Sequence, residues 1–381
     1  MLPITPGRPT VCYIDHESLR WNFRQIRSSV GSHIKILAMV KANAYGHGAP
    51  AIARTLADEG TDAFGVATVE EALELRRRSI TAPILVLTGV YLDQLELFFD
   101  HDLTAVAHDI GALQQLDAAV ARRGGSLNLH LKIDTGMGRI GFLPAEIDLW
   151  LGQLTQLKAV KVVGIFSHFS RAESVQGEYT RKQVEIFNHV VRRLRDEGIA
   201  PPLIHLANSA ATIALPTAYF NMVRPGLMLY GVYPTPAMTA RISLKPALSW
   251  KTRVLQLKKV PSNTSISYGQ TFTTKHDSLI ATLPVGYADG YPRLLSNRGQ
   301  ALVGGKRVPV AGRVCMDLTM LDVTDIGKIQ QGDEVVLLGS QGNETISADE
   351  MAAWADTISY EIFTSIGARV PRIHYNCQED P

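Results

Sequence analysis

The chain has 381 residues, 46% of them hydrophobic, and a formal net charge of +2 at pH 7. That length accommodates two or three domains, or one barrel with an appendage. The near-neutral balance gives no basis for a nucleic-acid or acidic-membrane partner. Cys12, Cys315 and Cys377 are far apart and form no CxxC pair, which argues against a disulfide framework or a cysteine-based zinc site.

The opening stretch, MLPITPGRP, has no apolar signal core. No apolar run approaches the length of a membrane span. Together these predict a soluble, cytoplasmic protein. Residues 10–14 read as a short strand and 16–30 as a helix. Strands then alternate with helices. The strands are expected at 34–40, 63–66, 84–87, 104–107, 127–133, 160–166, 203–206 and 222–223. Helical patterns fall at 50–59, 69–78, 93–100, 109–122, 144–154, 179–197 and 209–215. Asp93 and Asp109 read as N-caps, and Gly60 and Gly198 as C-cap glycines. This alternation predicts an α/β chain with a (β/α)8 TIM-type barrel over residues 1–245.

Beyond Pro246 the pattern changes. Strand-like stretches at 248–260, 279–283, 301–303, 308–310, 319–323 and 334–338 are punctuated by glycine and proline, and helical periodicity returns only at 348–354 and 360–366. Residues 246–381 are therefore read as a second, mostly antiparallel β domain.

Chemistry is expected at the carboxyl ends of the barrel strands. The first strand ends in Lys41 and Tyr45, within VKANAYGHG. A lysine at the lip of a buried strand is partly desolvated, which favours the neutral amine that attacks a carbonyl. Further along the rim come Asp134 and Arg139 after the fifth strand and Ser167 and His168 after the sixth. Asn208 and Ser209 follow the seventh, and Arg224, Pro225 and Gly226 the eighth. Ser209 also suits a helix N-cap. The last two loops are where barrels often hold phosphate. An imine-forming lysine and a phosphate cradle in one mouth suggest pyridoxal phosphate. The eleven histidines are scattered without ligand spacing, so no metal is expected.

Several stretches resemble the bacterial alanine racemases: VKANAYGHG (40–48), KIDTGMGR (132–139), HLANS (205–209), VRPG (223–226), SYG (267–269), PVGYADG (284–290), GRVCMD (312–317) and RVPR (369–372). The resemblance spans both predicted domains. It implies a pyridoxal-phosphate enzyme that interconverts L- and D-alanine and supplies D-alanine for peptidoglycan. Lys41 would hold the cofactor covalently and act as the base for the D-substrate. Tyr268 would be the base for the L-substrate, reaching in from the other subunit of a homodimer. Tyr45, Ser209, Gly226, Leu227 and Tyr360 would contact the phosphate, and Arg224 the pyridine nitrogen. His168 would belong to the cofactor-binding set and lie beside Tyr268. Arg139 and Met316 would bind the substrate carboxylate, and Lys132 matches a position that is often carbamylated. Tyr45, Tyr287 and Tyr360 would narrow the pocket toward a methyl side chain. His374 stands where a tyrosine is expected. A racemase of another amino acid, a non-catalytic cofactor carrier and a decarboxylase are the alternatives.

Overall fold

The computed structural model describes residues 7–171 and 177–377. Residues 1–6, part of the stretch read for a signal core, lie outside it. The contacts divide the chain into two compact units. One holds Leu19–Ala44 and Ala49–Lys245; the other holds the residues up to Ser18, Tyr45–Gly48 and everything from Pro246 onward.

The first unit is a closed parallel barrel with helices between its strands. The strand β1 (Val11–Asp15) precedes the barrel in sequence. The barrel itself is β2 (Lys35–Met39), β3 (Ala63–Val66), β4 (Ile84–Val86), β5 (Leu103–Ala107), β6 (Leu127–Lys132), β7 (Val160–Phe166), β8 (Leu203–His205) and β9 (Met222–Val223). Each lies within one residue of its expected bounds. The strands of such a barrel are buried on both faces and so read as continuous apolar runs. In β3 and β4 every residue is buried. The two residues of β9 close the ring by pairing with β2 and β8. Asp109 caps the helix Ile110–Arg123, its carboxylate accepting from the Ala112 amide at 2.7 Å. Asp93 is not a cap. It lies inside a 3-10 turn, Leu92–Gln94, that delays the helix to Leu95–Asp100.

The backbone turns sharply after β2. Ala42, Asn43, Ala44 and Tyr45 all have φ between 51° and 54°, a left-handed turn without a glycine. Such a conformation costs roughly 1–2 kcal/mol per residue, so other groups must hold it. Glu71 accepts from the Ala42 amide at 2.6 Å and the Ala67 amide at 2.7 Å. The Ala44 amide reaches Val40 O at 2.8 Å, and Asn43 Oδ1 accepts from the Ala49 amide at 2.8 Å.

The second unit is built on a seven-stranded sheet. Beyond β1 its strands are β10 (Leu248–Arg253), β15 (Gln300–Val303), β16 (Lys306–Pro309), β18 (Glu334–Gln341), β19 (Glu344–Ile346) and β20 (Arg372–Tyr375). A three-stranded sheet of β11 (Gln256–Val260), β14 (Ser278–Leu283) and β17 (Thr319–Asp322) accompanies it. The small hairpin of β12 (Ser265–Ile266) and β13 (Phe272–Thr273) completes the set. Although first in sequence, β1 pairs antiparallel with β10 and parallel with β20. The stretch 248–260, read as one strand, is two strands in different sheets. The amide of Val254 goes to Asp333 O and that of Leu255 to Thr282 O, so the chain changes partners between them.

In the barrel unit, buried Asn22 donates to Leu229 O and Lys245 O and accepts from the Lys245 amide, at 2.7–2.9 Å. Asn22→Leu strands three backbone groups, so we expect a loss of roughly 3 kcal/mol in urea-induced unfolding. A loss under about 1 kcal/mol would mean that these groups find other partners.

Candidate active site

Lys41 follows β2 at the barrel rim and is partly buried. Burial first, and Arg139 and Arg224 after it, lower its pKa; Glu71 opposes them. Lys132 ends β6 and is almost wholly buried. Burial, then Arg224, brings its pKa down to about 7. Its Nζ donates to Ile133 O at 3.1 Å. Asp134 gathers the next loop: Oδ1 accepts from the amides of Gly136, Met137 and Gly138, and Oδ2 from that of Arg139, at 2.8–3.2 Å. Burial works against that carboxylate's charge, but these four amides outweigh it and its pKa falls. The Arg139 backbone is thus fixed, while its exposed guanidinium has no hydrogen-bond partner among the described residues.

Arg224 follows β9 and is 4% exposed. Burial pulls its pKa down to about 9, so it stays charged at neutrality. Among the described residues no carboxylate meets it. Nη1 donates to His205 O and His205 Nδ1, both at 3.0 Å. Nη2 donates to Ser167 O at 2.7 Å, Leu206 O at 3.1 Å and His168 Nδ1 at 3.3 Å. Among the described residues its Nε–H has no acceptor. A guanidinium can only donate, so Nδ1 of His168 is bare and Nε2 carries the proton. Burial first, and then Arg224, Lys132, Arg139 and Lys41, hold the His168 pKa well below its ordinary value.

Asn208, not Ser209, caps the helix Ser209–Ala214, its Oδ1 accepting from the Ala211 amide at 3.1 Å. Ser209 is therefore free to cross to the next loop. Its Oγ accepts from the Gly226 amide at 2.9 Å. Leu227 opens a 3-10 turn whose first amides have no partner within the turn.

In the β unit, Tyr268 is 70% exposed. It stands between Ser267 and Gly269, which have φ of 66° and 71°. The Ser267 hydroxyl donates to Arg313 O at 2.6 Å. Met316, also exposed, lines a pocket with Tyr268, Ser267, Cys315, Asp317 and Leu318. Its loop is tied by two hydrogen bonds of 3.0 Å, Tyr287 N to Cys315 O and Ala288 N to Met316 O. A side chain at Gly286 would collide with both of these carbonyls. Tyr45 is buried against Tyr360, with ring centroids 5.8 Å apart. Burial, then Tyr360, pushes its pKa up.

Four cations, Lys41, Lys132, Arg139 and Arg224, therefore surround the barrel mouth. The two carboxylates acting on them, Glu71 and Asp134, are spent on backbone amides. That set, with the unpaired Arg224 Nε–H, suits an anion that also bears a nitrogen acceptor, and so fits pyridoxal phosphate. The sequence reading gave no role to Glu71, His130 or His205. A histidine flanked by leucines in one parallel strand, and another ending an apolar strand, were the available signals for the last two.

The models for the alanine racemase N-terminal and C-terminal domains match residues 14–234 and 247–374. Alanine racemase 2 of Caldanaerobacter subterraneus subsp. tengcongensis is 46% identical over 368 residues, 96% of this chain and 95% of that protein. The alanine racemase of Halothermothrix orenii is 46% identical over 97% of both chains. The crystal structure of the alanine racemase from Streptomyces lavendulae superposes with a TM-score of 0.93 at 35% identity, covering 98% of this chain and 99% of that one. That of the Bacillus anthracis enzyme with bound L-Ala-P gives 0.92 at 36% identity, covering 98% and 97%. By sequence over nearly its whole length and by fold, the chain belongs to the alanine racemase family.

Proposed function

We propose that this protein interconverts L- and D-alanine with pyridoxal 5'-phosphate, using Lys41 and Tyr268 as bases on opposite faces of the amino acid. The observation that carries the reading is the barrel mouth, where Lys41, lowered in pKa, shares a set of cations with an Arg224 whose Nε–H lacks a protein acceptor. When bound, the cofactor supplies an electron-withdrawing ring that acidifies the α-C–H bond.

Lys41 is the covalent anchor and the base for the D-substrate. A lowered pKa raises the share of neutral amine able to take a proton. Arg224 would meet the ring nitrogen with a donor that keeps its own proton and gives none to the ring. Ser209, Gly226, Leu227, Tyr45 and Tyr360 hold the phosphate. Tyr45, its pKa raised, remains a protonated donor. Arg139 and the Met316 backbone bind the substrate carboxylate.

Tyrosine has a reference pKa of about 10 and needs help to act as a base. His168 offers it a proton from Nε2, which favours the phenolate. The reading takes Tyr268 and Met316 from the partner subunit, so the working form is a homodimer. Among the described residues no helix is long and apolar enough to cross a membrane, and we place the enzyme in the cytoplasm, supplying D-alanine for peptidoglycan.

Lys132 is the proposed carbamate. Its neutral amine adds carbon dioxide, a C–N bond forms and one proton leaves to solvent. The anionic product gives Arg139 the partner it lacks. With a pKa of about 7, the reactive amine is the minority below that pH and the majority above it. Intact-protein mass spectra are therefore expected to show more of the carbon dioxide adduct as pH rises through 7 and as bicarbonate is added. An adduct unchanged by either, or retained in Lys132→Ala, would remove this assignment.

Tyr268→Phe is expected to lower α-proton exchange from L-alanine in deuterated water by on the order of 100-fold or more, the usual worth of a general base. Exchange from D-alanine should fall far less. Equal loss from both enantiomers would contradict two separate bases.

A further inference from the structure

We infer that His130 is a positioning residue for the racemisation: it fixes which nitrogen of His205 carries the proton, and so fixes how Arg224 is held. This rests on the reading that Arg224 serves the cofactor ring.

The proton positions follow from the donors. Arg224 Nη1 lies 3.0 Å from His205 Nδ1, and a guanidinium cannot accept. Nδ1 of His205 is therefore bare, and a neutral imidazole then carries its proton on Nε2. That Nε2 lies 2.8 Å from His130 Nδ1, which must accept. The proton of His130 is left on its own Nε2. The result is a one-way chain of donors from Arg224 through His205 to His130. All three side chains are buried, at 4%, 0% and 3% exposure. Burial, then Arg224, takes His130 down to about 3 and His205 well below its ordinary value. Both imidazoles thus stay neutral at neutral pH.

The fold makes room for this histidine. Along β6 and β7, Leu129 faces Val162 but His130 faces Gly164, so the register shifts by one residue between them. That is a β-bulge, which re-aims a side chain at the cost of ladder pairing. A Cβ on Gly164 would overlap the His130 ring. Phe166 stacks on His205 with centroids 4.9 Å apart and planes 4° apart, which fixes the plane in which His205 presents its nitrogens. Filling space alone would not require a nitrogen at 130 within hydrogen-bond reach of His205.

Without an acceptor at 130, His205 would hold a buried N–H with no partner. The nearest relief is to move the proton to Nδ1. There it would face Arg224 Nη1–H, donor against donor, and the guanidinium would have to turn.

The test compares wild type, His130→Gln and His130→Leu, each with and without pyridoxal phosphate. Side-chain 15N NMR reads the histidine tautomers, and kinetics and cofactor absorbance are measured across pH. Glutamine keeps an acceptor; leucine does not. Wild type is expected to show His205 protonated on Nε2, without cofactor as well as with it. In His130→Leu the proton should shift toward Nδ1, the cofactor absorbance should change, and kcat should fall roughly tenfold or more with KM within about twofold. His130→Gln should recover most of the loss. A wild-type His205 protonated on Nδ1 overturns the inference whatever the variants do. So do equal losses in Gln and Leu with the tautomer unchanged, which would mean packing alone. If wild type racemises no alanine, the proposed function fails, and the inference is judged by the tautomers alone.

Discussion

A guanidinium kept charged without a carboxylate partner is the constraint on which the barrel site depends. Burying an ion normally demands an opposite charge. Arg224 has instead three backbone carbonyls and two neutral imidazoles. Burial comes first, and the Arg224 charge acting outward adds to it, in lowering the pKa of Lys132, His168 and His205; at Lys41 it adds to burial and Arg139. Burial and this one cation together raise the share of neutral amine at Lys41 and Lys132, and its donors face two imidazoles of defined tautomer. The cation also leaves the mouth short of negative charge, a setting that suits an anionic ligand.

The β unit solves a different problem. Tyr268 and Met316 are exposed, so packing around their side chains does not place them. Backbone does. Ser267 and Gly269 at positive φ project Tyr268, and the close approach of Gly286 to the Cys315 and Met316 carbonyls fixes the second loop. A large side chain held out by a rigid backbone is suited to act on something other than its own core. That agrees with the resemblance, which puts both residues in a neighbouring subunit's site.

Much of the barrel was legible because its strands are buried on both faces, and apolar runs that end in polar residues mark both strand and rim. The short β9 was legible only because a ring of eight needs closure. Features set by distant pairing were not. Nothing local in Val11–Asp15 announces partners at 248–253 and 372–375. The left-handed turn after Lys41 contains Ala-Asn-Ala-Tyr rather than glycine, and one of the groups that hold it is the distant Glu71, which sequence alone places on a helix. Serine favours the cap position, yet Asn208 takes it, which frees the Ser209 hydroxyl to accept from the Gly226 amide.

Two lysines with lowered pKa, the partly buried Lys41 and the buried Lys132, stand in the same mouth, and the proposed cofactor anchor is the first. Borohydride reduction of the enzyme loaded with pyridoxal phosphate, followed by peptide mass spectrometry, tests this most directly. The pyridoxyl group is expected on Lys41, with none in Lys41→Ala. A pyridoxyl group on Lys132 in the wild-type enzyme would contradict the account.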